Sequence, residues 1–105
     1  MTKTPIPRTR WSTPQLEAHI RKESQNTEKV IFLPHVNVQM KKRKITTDMV
    51  FDALRKGKIK LRPELDSNTG DLKCRMEHYV AGNNVKIVVA ISDEDSNLVL
   101  ITAMH

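Results

Sequence analysis

The chain has 105 residues, a net charge of +6 and one cysteine, Cys74. That length suits a single domain with one modest core, and the lone cysteine excludes an internal disulfide and a cysteine-based zinc site. No apolar run is long enough to span a bilayer, and the N-terminus lacks an apolar signal core, so the sequence reads as a soluble, cytoplasmic protein without membrane partners.

Residues 1–12 are polar, carry Lys3, Arg8 and Arg10, and read as a flexible basic arm ahead of one domain over 13–105. Ser12 or Thr13, followed by Pro14, starts a helix over about 13–25, with Leu16 and Ile20 on one face and Trp11 packed against the core. Val30–Leu33 is a short apolar run, either an extended bridge or the lead-in to the next helix. Pro34 opens a helix over 34–44, on which Val36 and Met40 share a face. Thr46 is the N-cap of a third helix over 47–57, with Ile45 and Val50 as a hydrophobic staple and Gly57 as the stop.

The period then changes to two. Lys58–Leu65 reads as a short strand interrupted by Pro63, and 67–71 as a turn. From Leu72 the residues alternate, with Leu72, Cys74, Met76, His78 and Val80 on one face and Lys73, Arg75, Glu77 and Tyr79 on the other. Val85–Ile91 is nearly all apolar, as in a central strand, and Leu98–Met104 is the last strand. Short connections favour antiparallel pairing. The predicted fold is α+β, with N-terminal helices packed on a three- to four-stranded antiparallel sheet.

Charge is unevenly spread: +3 over residues 1–34, +7 over 35–62 and −4 over 63–105. Lys41, Lys42, Arg43 and Lys44, with Arg55, Lys56 and Lys58, form a basic pole suited to RNA or DNA phosphates. A solvated charged surface is the other reading of the same run. There is no phosphate-binding GxxxxGK[ST] loop, no GxGxxG and no HExxH, and neither a metal nor a cofactor is implied. Cys74 is in phase with Leu72 and Met76, which marks a buried thiol rather than a nucleophile. Among four histidines, His35 stands out at the start of the basic helix, where it can serve as acid or base or simply pack or cap.

His35, Met40, Arg43, Ile45 and Thr46, then Val50, Ala53, Leu54 and Gly57, and finally Ile101-Thr102, form an ordered pattern. With it the chain from about Phe32 to Met104 resembles a small prokaryotic family, domain of unknown function family 4258. Gln39 replaces the family's first Arg, Lys44 its Gly, and Met104 falls near its terminal aromatic. The family looks like a relative of RelE-type toxins and other compact metal-independent ribonucleases. The resemblance implies a RelE-like fold and RNA cleavage, free or ribosome-directed, with the ribosome and an antitoxin protein as partners. In such a reaction a base deprotonates the ribose 2′-OH, an acid protonates the leaving 5′-oxygen, and cations stabilise the phosphorane. His35 would be the acid or base, with Arg43 and Arg75 on the phosphate. Lys42 and Arg75 are stand-ins for the missing Arg. The alternative is a non-catalytic module that uses the basic pole to hold nucleic acid or an acidic protein.

Overall fold

The computed structural model describes residues 10–80 and 82–105. Most of the arm, residues 1–9, lies outside them. Helix α1 spans Thr13–Glu23. Ser12 caps it: its Oγ accepts the Gln15 N–H at 3.3 Å, and Gln15 Oε1 accepts the Ser12 N–H at 2.8 Å. This reciprocal pair satisfies two groups that a helix start leaves free. Leu16 and Ile20, one turn apart, are buried, and Trp11 packs on the same core.

After a 3₁₀ turn at Thr27–Lys29, strand β1 (Val30–Phe32) leads into α2 (Pro34–Arg43), which opens on Pro34 and buries Val36 and Met40. Helix α2 ends at Lys44, in the left-handed conformation with φ 56°. Helix α3 (Thr47–Lys56) starts from Thr46, whose hydroxyl accepts the Met49 N–H at 3.2 Å, and buries Val50, Ala53 and Leu54. It stops at Gly57, where the backbone is extended rather than left-handed. Glycine is needed there for another reason. A Cβ would collide with the Ala53 carbonyl oxygen and lie 2.8 Å from that of Glu77.

Five further strands follow: β2 (Lys58–Ile59), β3 (Glu64–Leu65), β4 (Leu72–Val80), β5 (Asn83–Ile91) and β6 (Leu98–Met104). The sheet order is β1-β6-β5-β4-β2, and β3 also pairs with β4. The architecture is α+β, but the sheet has six strands and is mixed, which corrects the smaller, wholly antiparallel sheet expected from sequence. The difference lies at the edges. Val30–Phe32 runs parallel to Leu98–Leu100, and the predicted strand over 58–65 splits into two short pieces on β4. Pro63, which has no N–H to donate, sits in the gap between those pieces.

One face of the sheet carries the core. Leu72, Cys74 and Met76, then Val85, Ile87, Val89 and Ile91, then Leu98, Leu100 and Ala103 are all buried. Helix α3 packs across β4 and β5, α2 against β6, and α1 against α3. Among the described residues no helix packs on the other face. Among the described residues no helix is long and apolar enough to cross a membrane.

Candidate functional site

Two features of β6 shape the candidate site. The first is a bulge. Val89 pairs with Leu100 and Val88 with Thr102, which leaves Ile101 as an extra residue. A bulge re-aims a side chain, and here both Ile101 and Thr102 reach the open face. The second is the treatment of the strand's outer edge. β1 pairs only as far as Leu100. Beyond it, His35, Gln39 and Arg43, spaced four apart on α2, take over. His35 Nε2 donates to the Ile101 carbonyl at 2.7 Å, and Gln39 Oε1 accepts the Ala103 N–H at 3.0 Å. Arg43 Nη1 donates to the Ala103 carbonyl at 2.6 Å. The match is geometric: four helical residues advance about 6 Å and two strand residues about 7 Å. A row of side chains thus replaces a neighbouring strand. His105 Nε2 adds a bond to the Arg43 carbonyl at 2.7 Å.

His35 and Arg43, expected beside a scissile phosphate, are therefore engaged at this edge. Because a carbonyl only accepts, His35 Nε2 carries a proton. Gln39 supplies the acceptor that Ala103 N–H needs, which a guanidinium cannot do.

Arg75 lies elsewhere, on the open face. Arg75, Val88 and Thr102 form one rung across β4, β5 and β6, about 10 Å from end to end. They line a cleft of about 250 Å³, with Ile101 and Met104 beside them and Leu61, Arg62, Glu64 and Lys73 completing its wall. Arg75 Nη2 donates to Glu77 Oε2 at 3.1 Å, and Asn84 Nδ2 donates to Glu77 Oε1 at 3.1 Å. The Glu77 side chain is only 6% exposed. Burial alone would raise its carboxyl. The hydrogen bond from Asn84, together with the charge and hydrogen bond of Arg75 and the field of Lys60, outweighs that and holds it below the ordinary glutamate value. Arg75 Nε is buried with no hydrogen-bond partner among the described residues.

The sequence-defined basic pole is divided. Lys41, Lys42 and Lys44 are exposed around the end of α2. Arg55 is committed to the fold: Nε and Nη2 both donate to the Ser24 carbonyl, at 3.2 and 2.9 Å, and its guanidinium lies 4.8 Å from the Phe51 ring centre. Lys56 pairs with Asp52 at 3.7 Å. Lys58 joins the open face, in one rung with Glu77, Lys86 and Met104. Lys73, Lys86, Glu64, Glu77 and Asn84 were not singled out from sequence. The opposite charges of Arg75 and Glu77, two apart on one strand face, were the available signal; the others depend on strand register. Cys74 is fully buried, and burial pushes its thiol up to about 12, so it is no nucleophile.

Comparison with known families gives a match over residues 32–105 to a family described as Domain of unknown function (DUF4258). No curated protein and no solved structure matches the chain significantly. The matched segment begins at the end of β1 and takes in α2, α3 and the rest of the sheet, including the β6 edge and the open-face cleft. The chain belongs to the DUF4258 family, domain of unknown function.

Proposed function

We propose that this protein is a RelE-like, RNA-directed domain that grips a phosphate of the RNA backbone on the open face of its sheet and cleaves the chain without a metal. Arg75 is the centre of that site. The observation that carries the reading is its setting: a cation in a cleft on the uncovered sheet face, oriented by a buried carboxylate, with one buried N–H unpartnered among the described residues. A guanidinium suits this task because its planar fork matches phosphate oxygens. Lys58 and Lys86 on the neighbouring rung supply further charge for flanking phosphates. His35 and Arg43 act through β6, holding the bulge that brings Ile101 and Thr102 to the cleft. An antitoxin, as the resemblance implies, would silence the protein by covering the same face.

Binding without cleavage is the second reading. It is favoured by the engagement of His35 Nε2 and Arg43 with β6 carbonyls, and by the absence of any histidine from the cleft lining among the described residues. One experiment separates the two. Single-stranded RNA is incubated with wild type and Arg75→Ala in EDTA, and both binding and product ends are measured. Cleavage with 2′,3′-cyclic phosphate ends, lost in Arg75→Ala, supports the toxin reading. Salt-dependent binding that weakens about tenfold in Arg75→Ala, with intact RNA, supports the binding module. Binding and cleavage both indifferent to Arg75 would refute the site.

A further inference from the structure

The cleft beside Arg75 is not lined only by charge. Val88 sits at the middle of the sheet, and Ile101 is turned into the cleft by the bulge; Met104 completes an apolar floor. Leu61, 53% exposed, forms an apolar wall. Glu64, three residues on in the same wall, pairs in register with Lys73, two residues before Arg75 on β4. Lys73 turns to Asp66, 4.0 Å away, and the Glu64 side chain makes no hydrogen bond or ion pair among the described residues. The cleft thus combines an apolar floor with three cations, Arg62, Lys73 and Arg75, and the unengaged carboxylate of Glu64. A simple phosphate site has no use for the floor or for the carboxylate, which would repel the anion.

We propose that the cleft holds one unpaired nucleotide of the RNA, with its phosphate on Arg75, its base on the Val88–Ile101–Met104 floor, and its edge read by Glu64. This rests on the RNA-directed reading above. A nucleobase has an apolar face and a polar edge, and proteins read unstacked bases through both. A base inside a duplex cannot reach a recess of this kind, so the ligand is single-stranded. A carboxylate only accepts hydrogen bonds. It therefore favours cytosine, whose exocyclic amino group donates, over uracil, whose single N3–H donor lies between two carbonyl oxygens that repel a carboxylate. Cytosine and uracil make the sharpest comparison, because they are nearly the same size and differ by an amino group against a carbonyl.

The test measures affinities for short oligo(C) and oligo(U) with wild type, Glu64→Gln and Arg75→Ala, and titrates CMP and UMP while following the methyl signals of Val88, Ile101 and Met104. Wild type should bind oligo(C) about five- to tenfold tighter than oligo(U), the worth of a charge-assisted hydrogen bond at an exposed site. Glu64→Gln, whose amide can also donate, should erase or invert that ratio. The floor methyls should shift more with CMP than with UMP. Equal wild-type affinities that both fall in Arg75→Ala overturn the base-reading site and leave the RNA-directed reading standing. Affinities unchanged in Arg75→Ala overturn both. A ratio that Glu64→Gln leaves intact, or methyls that respond to an acidic peptide and to neither nucleotide, also overturns the proposal. The wild-type ratio is decisive even if the Glu64 variant is poorly folded.

Discussion

Lys44 occupies a position that favours glycine. Its φ of 56° lies in the left-handed region, where a side chain costs about 1–2 kcal/mol relative to the right-handed form. The resemblance already implied a Gly at this place; the strain on Lys44 was not visible in the sequence. Lys44→Gly should raise stability by about 1 kcal/mol or less, because part of the relief is offset by the greater freedom of glycine in the unfolded chain. A urea midpoint that falls in this variant would contradict that. Glu77 makes a second residue-scale prediction. Its carboxyl is held below the ordinary glutamate value when folded. A carboxylate of this kind contributes stability that is fully present above its unfolded pKa and is lost as pH falls through its lowered folded pKa. Wild type should therefore lose stability in that acid window, and Glu77→Gln should lose less across it. Parallel pH profiles for the two proteins would show that the Asn84–Glu77–Arg75 chain contributes nothing.

At the scale of elements, α2 does the work of an edge strand. His35 and Arg43 stood out in the sequence as site residues, but their common row with Gln39 against the β6 backbone did not. Nothing in a helical stripe specifies whether it faces a ligand or a neighbouring backbone. The bulge at Ile101 was equally hidden: Leu98–Met104 is apolar on both phases apart from Thr102, so no alternation is available to break. The parallel pairing of β1 with β6 joins segments near opposite ends of the chain, and three apolar residues at Val30–Phe32 carry no sign of their partner. The three helices, by contrast, were marked by Ser12, Pro34, Thr46 and Gly57, local signals whose meaning does not depend on distant residues. The capping role of α2 predicts a specific exchange pattern. Gln39→Ala removes the acceptor of the Ala103 N–H and should speed amide hydrogen exchange at Ala103. Gln39→Glu, which keeps an acceptor, should retain protection. Equal exchange at Ala103 in wild type and Gln39→Ala would mean that the edge is held by other groups.

For the whole molecule, sequence located an excess of positive charge and the fold redistributes it. Arg55 is spent on the Ser24 carbonyl and Lys56 on Asp52, while Lys58 comes onto the open face beside Lys86, and Arg75 and Lys73 line the cleft there. Linear charge counting cannot see this, because an open face gathers alternate residues from separate strands. The division of labour that results is simple: helices and core on one side of the sheet, a cleft and cations on the other. The direct test of that division is a chemical-shift map of the ¹⁵N- and methyl-labelled protein titrated with single-stranded RNA at low and moderate salt. The largest changes should fall on Lys58, Lys73, Arg75, Lys86, Val88, Thr102 and Met104, and they should shrink as salt rises. Changes centred instead on the outer surfaces of α1 and α3, at Gln15, Lys22 or Asp48, with the open face silent, would contradict the account.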